Sequence, residues 1–137
     1  MKKLLLVIFS IFFVLSACKK QEQEPEFINH PNYLLGSWVY TNIDNEVQIM
    51  RKLDNLIPDR YGFSVLPNGL FVERRNTGEC GTGGNFIFKD NQGEWQRPEA
   101  FVYKVQVPFN ETLLKYNILI DFVNNDSLRF RYDYSPN

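Results

Sequence analysis

Leu128-Arg129-Phe130-Arg131-Tyr132-Asp133-Tyr134 alternates without a break. Every second side chain is apolar or aromatic, and those between are charged. In an extended chain successive side chains point to opposite faces, so this rhythm builds a strand with one greasy and one wet face. The same period runs through Leu114, Tyr116, Ile118, Ile120 and Phe122, and through Phe101, Tyr103, Val105 and Val107. One buried face and one solvated face is the signature of antiparallel pairing. No segment carries a helical stripe longer than two turns; residues 50–56 are expected to form at most one short helical turn.

Turn chemistry separates the alternating runs. Pro67-Asn68-Gly69 presets φ and then tolerates positive φ, which predicts a tight hairpin. Asn124-Asn125-Asp126 is expected to join the last two strands, and Asp90-Asn91-Gln92-Gly93 and Pro108-Phe109-Asn110-Glu111 to end others. Strands are therefore expected over 35–43, 47–53, 61–66, 70–75, 85–89, 93–97, 100–107 and 113–123, with 127–134 as a ninth. Sequential short hairpins of this kind predict an all-β fold: an antiparallel up-and-down β-barrel of about eight strands, or a sandwich. A barrel closes its own edges.

Before this region lies a different chemistry. Met1-Lys2-Lys3 precedes an apolar run from Leu4 to Leu15 broken only by Ser10. About twelve residues cannot cross a hydrocarbon core that needs roughly 20. A positive start, a short apolar core and small residues after it read as a signal peptide over residues 1–17. Leu15-Ser16-Ala17-Cys18 resembles the lipobox of bacterial lipoproteins. That resemblance implies cleavage before Cys18, diacylglycerol (with palmitate-type acyl chains) on its thiol, and anchoring to a membrane. Residues 18–31 then form a lipidated N-terminus and tether. Lys19 to Glu26 holds no apolar residue and one proline, so it buries nothing. Lys20, Glu22 and Glu24 loosely match the pattern that sends some Gram-negative lipoproteins to the cell surface; a plain spacer would leave the protein facing the periplasm. The expected location is the outer membrane, on either face.

The remaining domain, residues 32–137, is a single unit by length. Cleavage would remove two lysines and leave 13 basic against 16 acidic residues, which is no nucleic-acid signature. Cys80 would be the sole free thiol, so stability must come from packing of aromatic side chains.

Leu35-Gly36-Ser37-Trp38 opens the first strand and resembles the G-x-W motif of lipocalins and small bacterial lipocalin-like lipoproteins. The hairpin Tyr61-Gly62-Phe63-Ser64-Val65-Leu66-Pro67-Asn68-Gly69-Leu70-Phe71 and a second Gly-x-Trp at Gly93-Glu94-Trp95 extend the likeness over residues 33–134. The resemblance implies a barrel plugged at one end by Trp38, with an arginine, Arg129 or Arg131, stacked over the indole. A lipocalin proper is longer, so this barrel is expected to be small.

The one histidine, His30, lies in the entry segment beside Pro31, so no Ser-His-Asp or Cys-His site is expected, and a single histidine cannot make a histidine metal cluster. Neither enzyme activity, nor a metal, nor a cofactor is expected. Cys80 in Gly78-Glu79-Cys80-Gly81-Thr82-Gly83-Gly84 is read as a loop cysteine, and the glycine run lacks the Lys-Ser/Thr of a phosphate loop. Glu73-Arg74-Arg75 is read as a solvated strand end rather than an anion site. Asp126-Ser127-Leu128 resembles a short O-glycosylation signal. The expected function is binding of a small hydrophobic or amphipathic molecule at the barrel's open end, with Trp38, Tyr40, Phe63, Tyr103, Tyr116, Phe122, Phe130 and Tyr132 facing inward. The alternative is a protein–protein or accessory module of an outer-membrane complex, with the barrel interior filled and residues 76–85 and 108–112 as its contact loops.

Overall fold

The computed structural model describes residues 33–80 and 86–134, the side chains of 79 and 80 excepted. Cys18, the leader, the tether, His30 and the run 81–85 lie outside the described residues. Eight strands follow in order: β1 (Gly36–Asp44), β2 (Val47–Leu53), β3 (Gly62–Val65), β4 (Leu70–Cys80), β5 (Phe86–Glu99), β6 (Val102–Phe109), β7 (Thr112–Val123) and β8 (Ser127–Asp133). They close into one antiparallel barrel, as the two-residue rhythm predicts.

From β3 to β8 the chain is a plain meander. The first hairpin enters in the opposite sense: β1 pairs with β3, and β2 pairs with β8. The connection 54–61 must therefore cross β1. It does so over the outer wall, where Val39 is buried at 2 % exposure and the Leu56 side chain lies close to Gly62. Arg74 donates to the Leu56 carbonyl at 3.1 Å and fastens the crossing.

Two expected strands, 85–89 and 93–97, are one. Asp90 to Gly93 is no turn: Asp90, Asn91, Gln92 and Gly93 pair in register with Arg74, Glu73, Val72 and Phe71. Residues 50–53 belong to β2 rather than to a helical turn. The expected turns elsewhere form. Pro67–Gly69 makes a single helical turn with Asn68 at φ 64° and Gly69 at φ 79°. At the β7–β8 turn the Asn124 side-chain oxygen accepts from the backbone N–H of Asp126 and Ser127, at 2.9 and 2.7 Å.

A bulge changes one facing. Ile120 pairs with Phe130, Phe122 with Arg129, and Val123 with Leu128. The extra residue, Asp121, leaves two consecutive side chains on one face, so Phe122 joins Arg129 on the outer wall and Val123 turns to the core. The expectation that Phe122 faces inward is corrected by this bulge.

The interior is filled by side chains. Trp38, Phe63, Phe71, Tyr116, Ile118, Leu128 and Phe130 each show 1 % exposure or less. Phe63 stacks on Phe71 at 5.3 Å and meets Phe130 edge-on at 5.7 Å. Such offset and edge contacts add about 0.5–1.5 kcal/mol per pair beyond area burial.

Candidate functional site

The two ends of the barrel differ. At the end where the chain enters, hereafter the proximal pole, Trp38 forms the plug. Its indole N–H donates to the Leu34 carbonyl at 2.8 Å, so the one polar atom it buries is satisfied. Gly36, at φ 123°, leaves room for Lys52, whose ammonium lies 5.3 Å from the Trp38 ring. The cation over the tryptophan is thus Lys52 from β2. Arg129 is exposed, and Arg131 pairs with Asp121 at 2.8 Å on the outer wall. Trp95, of the second Gly-x-Trp, donates to the Leu66 carbonyl at 2.9 Å from the middle of β5.

At the distal pole the interior turns polar. Phe71, Glu73 and Arg75 are alternate residues of β4 and point inward along one line. Glu73 has 0 % exposure, so Glu73-Arg74-Arg75 is not a solvated strand end. Its Oε1 accepts three hydrogen bonds: from Tyr61 at 2.8 Å, from Tyr116 at 2.9 Å and from Arg75 at 2.7 Å. The Tyr61 hydroxyl also meets the Tyr132 hydroxyl. Because Tyr61 spends its proton on Glu73, Tyr132 must donate to Tyr61. A carboxylate can be buried only when charge and hydrogen bonds compensate it, and this cluster supplies both.

The same burial reads out in the tyrosines. Loss of water is the first cause that raises the pKa of Tyr61, Tyr116 and Tyr132; the Glu73 carboxylate pushes all three the same way, while at Tyr132 the hydrogen bond with Tyr61 acts against the rise without cancelling it. Burial acts to lower the pKa of Arg75, but its hydrogen bond to Glu73 and the carboxylate's charge outweigh that, and the net shift is upward. The guanidinium sits between two rings, 5.9 Å from Tyr61 and 5.4 Å from Phe109. Phe109 comes from the β6–β7 tip, so Arg75 at the mouth ties β4 to β6 and to the segment leading into β3.

Of the residues expected to line a site, Trp38, Phe63, Tyr103, Tyr116 and Phe130 are buried, and Tyr40 and Tyr132 are half-buried against the core. Phe130 and Tyr132 stack edge-on at 4.9 Å, as do Tyr116 and Tyr132 at 5.2 Å. Trp38 lies apart, at the other pole. Glu73, Arg75 and Tyr61 are the members that charge alone hides: two charged residues near a hairpin end suggest solvent. Their alternation with Phe71 was the available signal.

A second feature lies on the outer wall. An open hollow of about 450 Å³ is lined by Leu70, Gln92, Glu94, Gln106, Pro108 and Leu113. It lies where β5 and β6 run side by side close to Gly93; a Cβ on Gly93 would stand 2.2 Å from the Gln106 carbonyl oxygen. Leu70 and Leu113, on its rim, are 40 % and 51 % exposed.

No protein-family model matches this chain, and no curated protein or solved structure matches it.

Proposed function

We propose that this chain is a lipoprotein of the outer membrane, anchored through Cys18, whose barrel is a rigid, non-catalytic support for contact with a protein partner. The observation that carries this reading is the packing of the interior. Large side chains with 1 % exposure or less occupy the space a carried apolar molecule would need. Recognition is then left to the outside. Ile43, Phe86, Leu113 and Tyr134 are 50, 62, 51 and 60 % exposed, and each lies at or near a strand end of the distal pole.

The poles agree with the anchor. The described chain enters β1 at the proximal pole, so the exposed apolar side chains of the distal pole lie at the end away from the anchor. A fully extended stretch from residue 18 to residue 33 reaches at most about 50 Å, which lets the distal pole meet another membrane component.

The test is photocrosslinking in the native envelope. A photoreactive residue at position 43 or 86 is expected to give one discrete adduct, absent when it is placed at Asn68 on the proximal turn. Phe86→Asp should abolish the adduct formed from position 43. Uniform labelling at all three positions, or a small apolar molecule retained by the barrel in native mass spectrometry, would overturn the reading. Mass spectrometry of the mature N-terminus tests the anchor separately: an acylated Cys18 is expected. A second reading, binding of a small amphipathic molecule at the open end, is favoured by two unpaired polar atoms at the mouth.

A further inference from the structure

Two buried polar atoms of the distal mouth have no hydrogen-bond partner among the described residues: Glu73 Oε2 and Arg75 Nε. They belong to the two members of one ion pair, joined through Glu73 Oε1 and an Arg75 terminal nitrogen at 2.7 Å. Each orphan is two covalent bonds from that contact. One is a pure acceptor and the other a pure donor. Leaving both dry is costly, because a buried unmade hydrogen bond forfeits its full desolvation penalty.

We infer that the mouth binds a neutral hydroxyl group, which donates its proton to Glu73 Oε2 and accepts the N–H of Arg75. Charge and hydrogen-bond capacity select this chemistry together. Glu73 and Arg75 neutralise each other, and Arg74 is spent on Asp90 in a two-pronged pair at 2.6 and 2.7 Å. An added ion would be an uncompensated charge in a site of low polarity. An ammonium cannot accept from Arg75, and a carboxylate cannot donate to Glu73; a hydroxyl does both through one atom. The Arg75 side chain borders solvent at 25 % exposure, while the two orphan atoms lie buried behind it. The rings of Tyr61 and Phe109 beside the guanidinium offer apolar faces to whatever carries the hydroxyl.

Water and an alcohol of a ligand share this chemistry, and the two sources separate in one experiment. In the mature wild-type chain, the Arg75 Nε–H resonance is followed by NMR with myo-inositol as the neutral polyol probe. A cross-peak from Arg75 Nε–H to water is expected without the probe. If it persists unchanged on titration, the hydroxyl is that of a bound water; the inference stands and the small-molecule reading of the open end fails. If it is replaced by cross-peaks to inositol ring protons, the hydroxyl belongs to a ligand and both stand. High-resolution diffraction should then show one oxygen within about 3.2 Å of both orphan atoms. The inference is overturned if Arg75 Nε–H shows neither cross-peak and the density shows a direct two-pronged Glu73–Arg75 pair with no oxygen between. No variant is needed, so a folding failure cannot confuse the result.

Discussion

Glu73 buries a carboxyl group that the rest of the core is built to hold. Three donors converge on one of its oxygens, from β4 itself, from the residue that leads into β3, and from β7. Removing the charge strands its partner: Glu73→Gln leaves the half-buried Arg75 uncompensated and should cost about 3 kcal/mol, the lower end for breaking a buried pair, because Arg75 retains some water. Tyr116→Phe removes one charge-assisted hydrogen bond and should cost about 2 kcal/mol. Urea denaturation checks both, and an effect below half of either value contradicts the central role of Oε1. The tyrosines also set a pH limit. Their folded pKa values lie above the ordinary 10. Below pH 10 these phenols are protonated in both states and their contribution is constant. Above it the unfolded chain releases protons that the folded chain keeps, so each group costs about 1.4 kcal/mol per pH unit. The urea midpoint should be flat up to about pH 9.5 and fall steeply beyond. Tyr61→Phe, Tyr116→Phe and Tyr132→Phe together should flatten that fall; a decline unchanged in the triple variant would contradict the assignment.

Strands show their purpose where they break their own rule. Asp121 is a supernumerary residue: without it Ile120, Phe122 and Val123 would pair regularly with Phe130, Arg129 and Leu128. Deleting Asp121 should therefore preserve the fold and lose only its exposed pair with Arg131, worth about 0–1 kcal/mol. Deleting Asn117, four residues earlier, reverses the facing of Tyr116 or Ile118 and should prevent folding. Thermal melts of the two deletions separate these outcomes. Glycines divide in the same way. A Cβ at Gly93 meets backbone at 2.2 Å, whereas Gly78, at φ 80°, has open space around it. Gly78→Ala should cost about 1–2 kcal/mol from its backbone conformation alone. Gly93→Ala must push β5 from β6 and should cost more, which the same melts would show. Periodicity made β6, β7 and β8 legible because their pattern is local. The Asp121 bulge was not legible, since one polar residue among apolar neighbours looks the same with or without it. Asp90 to Gly93 has the composition of a turn, and only its partner β4, distant in sequence, holds it straight. Glu73 was hidden by the usual cost of burying charge, which its partners cancel only after the barrel closes.

At the scale of the whole molecule, closure follows from β2 reaching β8 and β1 reaching β3, a pairing that no local pattern encodes. The connection that this order requires passes over the outer wall, where Val39 is buried and Leu56 lies close to Gly62. The product is a cylinder with unlike ends. An indole plugs one, and a carboxylate held by tyrosines and an arginine lines the mouth at the other. Such a body has little internal room for cargo. The most direct measurement is titration of the protein with a fluorescent fatty acid, following energy transfer from Trp38 and Trp95. The filled barrel predicts no saturable transfer in the wild type, and its appearance only after a cavity is cut by Phe63→Ala. Saturable transfer in the wild type, displaced by an unlabelled fatty acid, would contradict the account.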